Sequence, residues 1–169
     1  MKKILFSSTI ALLFLFTSCD NDGEHEMSDK AEANLEASRG IGKCFDTKDF
    51  SKLGDFVAED AVDHAGENGD IKGLANMQAE FAKMVEGLEN PKSEAIKELA
   101  DDEYVMSWMH FTGSLKMDMM GMKAGDKYDM SAIELSKFKD GKMTEHWTFM
   151  QPADMMKMMP PPPAPATTN

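Results

Sequence analysis

Apolar side chains recur every three or four residues through the first half of the chain and every second residue through the second half. The first spacing belongs to helices and the second to strands. Ala31, Leu35, Ile41 and Phe45 share one face, which predicts a helix over 31–45. Thr47 or Asp49 can cap a short second helix carrying Phe50, Leu53, Phe56 and Val57. A short strand is expected over 59–64, then a polar loop over 65–70. Ile71, Leu74, Met77, Phe81, Val85 and Leu88 form a stripe that predicts a helix over 71–88, ended by Asn90-Pro91. Gln78 lies inside that stripe, as an edge residue or as a polar group aimed into a cavity. Beyond it the period changes to two, with strands expected over 93–99, 103–115, 127–138 and 142–150. Asp140-Gly141 is a hairpin signal, because both positions tolerate the positive φ of a tight turn. Helices followed by long antiparallel strands give an α+β layout, with the helices packed on one face of a curved sheet.

The chain of 169 residues is one domain's worth. Its net charge of −12 comes from 30 acidic and 18 basic residues, and Arg39 is the single arginine. Phosphate binding needs clustered cations, so this balance argues against a nucleic-acid partner. Two cysteines are present, Cys19 and Cys44.

The first of them has a distinct setting. Lys2-Lys3 precedes an apolar run from Ile4 to Phe16 that is shorter than the roughly 20 residues a spanning helix needs. Phe16-Thr17-Ser18-Cys19 resembles the lipobox of bacterial lipoproteins, in which the cysteine is acylated after cleavage. The competing reading is an ordinary secretory peptide with an incidental cysteine. The expected organisation is a signal peptide over 1–18, an acidic tether over 19–30, a folded domain over 31–152 and a disordered Met- and Pro-rich tail over 153–169. That places the protein in the bacterial cell envelope, held to the membrane through Cys19. Cys44, left without a partner in the chain, reads as a buried structural thiol.

Three segments of the domain resemble a known family. Asp49 to His64 matches a pattern ending in Asp-x-Val-Asp-His, Met120-Gly121-Met122 matches a turn between long strands, and Phe138 to Met143 with Glu145-His146-Trp147 matches a closing hairpin. Together they resemble the SnoaL-like (polyketide-cyclase-like) branch of the NTF2-like superfamily, over about residues 31–152. The resemblance implies a cone-shaped α+β barrel, a curved antiparallel sheet wrapped around N-terminal helices, with a pocket at its mouth. It also implies homodimers. It implies no single chemistry, since one fold hosts many functions.

A proton-transfer site in such a pocket needs a titratable group in an apolar wall. The candidates are His64, His110, Glu134 and His146. Asp63 and His64 are neighbours on a strand, so only one can face the pocket, and the resemblance favours His64. His110 shares a face with Tyr104 and Trp108, and an aromatic stripe with one histidine is more often a core wall than an active site. Glu134 and His146 face either solvent or the pocket. The ring-closing members of the family place an acid/base aspartate after His-Trp on the last strand, where this chain has Thr148. A threonine hydroxyl is no base near neutral pH, so His146 or Glu134 would have to take over that role.

The 17 methionines add a further reading. Met117, Met119, Met120 and Met122, and then Met155, Met156, Met158 and Met159, form two clusters of soft thioethers, a donor type that selects Cu(I). Methionine also fills irregular apolar surfaces, and no Cys or His lies among these residues to complete a metal shell. The expectation is therefore a pocket for a small, largely apolar ligand, lined by Tyr104, Trp108, His110, Met120, Met122 and Thr148, with no cofactor or metal. The alternatives are an isomerase, cyclase or hydrolase using a His/Glu acid–base pair from His64, Glu134 and His146, or a Cu(I)-handling protein.

Overall fold

The computed structural model describes residues 27–66, 69–119 and 121–158. Helix α1 spans Asp29–Thr47 and begins two residues before the apolar stripe, because Ser28 caps it: the Ser28 hydroxyl accepts from the Ala31 N–H at 3.1 Å. Acidic Asp29 and Glu32 lie in its first turn, where the helix dipole favours them. It ends on Lys48 at φ 56°, with the Asp49 N–H bonded back to the Cys44 carbonyl at 3.0 Å. Ala31, Leu35, Ala37 and Cys44 are buried along its inner stripe. Gly40 has a packing reason: a β-carbon there would meet the Phe56 ring at 2.6 Å.

The expected second helix is only a 3-10 turn over Leu53–Asp55. Strand β1 follows over Val57–Asp63, then the two-residue β2 over Ile71–Lys72 and helix α2 over Leu74–Glu86. Ile71 thus extends the apolar stripe from a strand rather than from a helix. Gln78 is an edge residue tied to the backbone, its amide donating to the Phe50 carbonyl at 2.8 Å. Strands β3 (Leu88–Ala100), β4 (Tyr104–Leu115), β5 (Lys127–Lys139) and β6 (Lys142–Met150) then run in succession, and helix α3 covers Pro152–Met158. Asn90-Pro91, read above as a helix stop, lies inside β3 at a register irregularity, with Asn90 at φ 48°. Helix α3 is the short Met-rich helical turn that the sequence after Pro152 allows, at the start of the tail segment. The signal peptide and Cys19, the rest of the tail and Met120 lie outside the described residues.

The six strands form one curved sheet in the order β2-β1-β6-β5-β4-β3. It is mixed rather than purely antiparallel, because β1 pairs with β6 in parallel. Asp140 and Gly141 make the β5–β6 hairpin turn at φ 53° and 74°, as their residue types require. One face of the sheet packs on α1 and α2. Leu53, Val57, Met77 and Val105 are almost completely buried there, and Phe45 contacts Phe50 and Phe81 with ring centroids 5.0 and 4.9 Å apart. Full burial of each large aliphatic side chain contributes about 1.5–3 kcal/mol. Cys44 is buried among them, its thiol pushed up in pKa by that burial.

Candidate functional site

Which side chains share the inner face follows from register. Val105, buried against the helices, fixes the parity of β4, so Ser107, Met109 and Phe111 point the same way. Cross-strand partners carry that face across the sheet in rows. Phe111 pairs with Met130; Met109 with Ala132 and, beyond it, Met150; Ser107 with Glu134 and Thr148; Val105 with Ser136, His146 and Asp63. An apolar zone of thioethers and one phenyl ring therefore gives way, row by row, to hydroxyls and then to ionisable groups.

The last two rows depend on one extra residue. Lys139 pairs with Lys142 and Phe138 with Met143, but Lys137 pairs with Glu145, so Thr144 is bulged out of the β5–β6 ladder. A regular hairpin from the same turn would set Trp147 opposite Glu134. The bulge sets Thr148 there instead and brings His146 beside Ser136.

The result is a continuous hydrogen-bonded relay. His146 Nδ1 donates to Asp63 Oδ1 at 2.9 Å, and Nε2 donates to Glu134 Oε2 at 2.7 Å. The Thr148 hydroxyl donates to that same Oε2 at 2.7 Å. Among the described residues no hydrogen bond reaches the second carboxylate oxygen of Glu134. Asp63 is buried and also accepts from the Ala65 N–H at 2.9 Å, while the side chains of Glu134 and His146 remain 24% and 18% exposed. Burial alone would favour a neutral imidazole. The hydrogen bonds to Asp63 and Glu134 and the two carboxylate charges outweigh it and push the His146 pKa up to about 9, so the ring is a cation at neutral pH. Burial likewise opposes ionisation of Asp63, yet the bond from His146, its charge and the Ala65 N–H hold that carboxyl below its usual value.

Glu134, His146 and Thr148 thus come together as one site. Asp63 completes it, and only its adjacency to His64 hinted at that in the sequence. The two neighbours do face opposite ways, but Asp63 takes the inner face and His64 the outer, where its ring stacks on Trp147 at 4.9 Å. Tyr104, Trp108 and His110 lie on the outer face as well, because they alternate with Val105 and Ser107. Trp108 is 43% exposed, and His110 meets Asp129 at 2.9 Å. Met122 pairs with Met119 across a tight turn, and the Met117 and Met119 side chains lie over Gly87, where a β-carbon would meet the Met119 sulfur at 2.5 Å. Ser107 and Ser136, buried on the inner face beside the relay, are site residues that sequence reading missed.

The two carboxylates grip opposite nitrogens of one ring instead of converging on a point. Among the described residues no group of three or more His, Cys, Asp or Glu side chains is arranged to hold a metal ion. The arrangement is suited to moving protons.

Similarity to known proteins agrees with this architecture. Among curated proteins, none matches the sequence. A protein of Jannaschia sp. CCS1 described as a SnoaL-like polyketide cyclase superposes with a TM-score of 0.71 at 16% identity, covering 82% of this chain and 99% of that one. A SnoaL-like polyketide cyclase of Agrobacterium tumefaciens superposes with a TM-score of 0.64 at 14% identity, over 73% of this chain and 95% of that one. An epoxide hydrolase of M. tuberculosis superposes with a TM-score of 0.62 at 14% identity, over 77% and 91%. At these identities the likeness concerns the fold. The sequence model of the SnoaL-like polyketide cyclases matches residues 36–159, most of the domain and every residue of the relay. The chain belongs to the SnoaL-like polyketide cyclase family, within the NTF2-like fold.

Proposed function

We propose that this protein is a lipid-anchored envelope enzyme that binds a small, largely apolar molecule against the inner face of its sheet and moves a proton on it, with Glu134 as the base. The observation that carries the reading is the asymmetric use of Glu134. One oxygen is fixed by His146 and Thr148, and the other is left to accept a proton from a bound molecule. Glu134 takes the proton from a carbon acid and returns it to another atom of the same molecule, so the reaction is an isomerisation or ring closure with no net change in protons. The His146 cation fixes Glu134 Oε2 through a charge-assisted hydrogen bond, and Asp63 balances that cation from the far side. Ser107 and Ser136 supply hydroxyls beside the carboxylate, suited to an oxygen on which negative charge develops. Met109, Phe111, Met130 and Met150 supply the adjustable apolar wall.

Thr148 occupies the position where the resemblance led one to look for an acid/base aspartate. In this chain the carboxylate beside that position is Glu134 of β5, and the Thr148 hydroxyl orients it. Solved proteins of this fold include an epoxide hydrolase, so the scaffold is compatible with chemistry on small organic molecules.

Attachment to the membrane is supported by the basic start, the short apolar run and Cys19 within Phe16-Thr17-Ser18-Cys19. A second copy of the chain is proposed to cover the outer sheet face, where Leu99, Met106, Trp108 and Phe149 are 37–53% exposed in adjoining rows.

The experiment is ring opening of 5-nitrobenzisoxazole, a carbon-acid probe that a single carboxylate base opens to a coloured phenolate. Purified protein should accelerate it well above buffer, and Glu134→Gln should abolish the acceleration. Equal rates for the two proteins would leave a binding protein without acid–base catalysis.

A further inference from the structure

We infer that His64 is a positioning residue that clasps the end of β1 onto β6 from the outer face, and so holds Asp63 against His146. The inference rests on the Glu134–His146 site proposed above.

Strand β1 has few ladder partners at the end that carries Asp63. Its pairing with β6 is short and irregular, limited to Val57 with Met143, Val62 with Glu145 and Asp63 with His146, and its other neighbour β2 has two residues. The Asp63–His146 contact therefore sits at the last residue of a strand whose ladder closes with the His64 N–H on the His146 carbonyl at 2.8 Å. A ladder end of this kind needs side-chain help to stay in register.

His64 supplies it in three directions. Its ring lies almost parallel to Trp147 of β6, tilted by 16°. Nδ1 meets Asp70 Oδ1, in the segment that returns to β2, at 3.1 Å. Nε2 is buried 3.5 Å from Glu145 Oε2 of β6, outside hydrogen-bond geometry. The charged groups facing the ring are thus Asp70 and Glu145, with Lys72 placed 3.9 Å from Asp70 and Lys137 3.2 Å from Glu145. None of these ties reaches the relay directly. The link runs through the backbone: the turn that starts at His64 presents the Ala65 N–H to Asp63 Oδ1, the same oxygen that accepts from His146. Releasing the His64 ring loosens that turn, and Asp63 loses the geometry for both donors.

The test is the midpoint of His146, followed by NMR of the full protein labelled in its histidine rings, in the parent, in His64→Ala and in the outer-face control His110→Gln. The expected result is a fall of one unit or more in His64→Ala, toward an ordinary histidine, with no change in the control. Should His64→Ala fail to fold, His64→Gln is read by the same criterion, since it keeps polarity but loses the stack on Trp147. An unchanged midpoint in the folded His64 variant, or an equal fall in the control, overturns the inference. Because the readout is a titration, a fall in His64→Ala alongside equal probe turnover by the parent and Glu134→Gln would keep the positioning role and dismiss the enzyme.

Discussion

Asp63 and His64 are adjacent in the chain yet serve opposite faces of the sheet. The Asp63 carboxylate takes the His146 N–H at 2.9 Å on the inner side, while the His64 ring stacks on Trp147 on the outer side. Strand alternation makes the pair a hinge between the ionisable relay and the clasp that holds it in place.

Asp63→Asn keeps the shape and removes the charge. The His146 cation then loses its buried counter-ion, so its midpoint should fall from about 9 toward 6.5. A charge-assisted hydrogen bond contributes about 1.5–3 kcal/mol, and urea unfolding of the variant at pH 7 should show a loss of that size. A stability equal to the parent's would mean that the relay contributes nothing to the fold.

Stability should also depend on pH in a defined sense. The folded protein binds the His146 proton more tightly than the unfolded chain does, since its pKa is raised from 6.5 to about 9. The stabilisation, roughly 3 kcal/mol, is complete below about pH 6.5, shrinks as pH rises and is gone above about 9. Asp63, held below its usual value, acts with the opposite sign: its contribution is present at neutral pH and lost on acidification. Urea titrations at intervals from pH 6 to 10 check the alkaline arm, which should flatten in Glu134→Gln.

Local chemistry made much of the fold readable from sequence. Asp140-Gly141 fixes the last hairpin by itself, and the alternation in β4 shows which residues travel together. What alternation cannot show is which set faces the helices. The aromatic set of Tyr104, Trp108 and His110 read as well as a pocket wall, and only the burial of Val105 against α1 and α2 decides the matter. Glu134 and His146 were recognisable as ionisable residues in strands. Their contact was not, because it depends on the bulge at Thr144 and on a parallel pairing of β1 with β6 between residues 83 positions apart. Asn90-Pro91 misled for a related reason: a proline that usually stops a helix is also tolerated at an irregularity in an edge strand.

Trp108→Glu tests the outer face. A charge at the centre of a shared apolar surface should convert a dimer to a monomer, seen as a halved mass by sedimentation at micromolar concentration. Probe turnover should persist, because Trp108 lies on the opposite side of the sheet from Glu134. A parent that sediments as a monomer removes the proposed second copy.

The anchor has its own check. In cells fed an alkynyl fatty acid, the full-length chain should take up label and fractionate with membranes, and Cys19→Ser should do neither. Equal labelling of the variant would rule out Cys19 as the attachment point.

The most direct measurement is the second-order rate constant for opening 5-nitrobenzisoxazole by the parent and by Glu134→Gln at pH 7.5. A positioned general base contributes about 10²–10⁴-fold, so catalysis through Glu134 predicts a loss of at least a hundredfold in a variant that still folds. A variant as fast as the parent would contradict it.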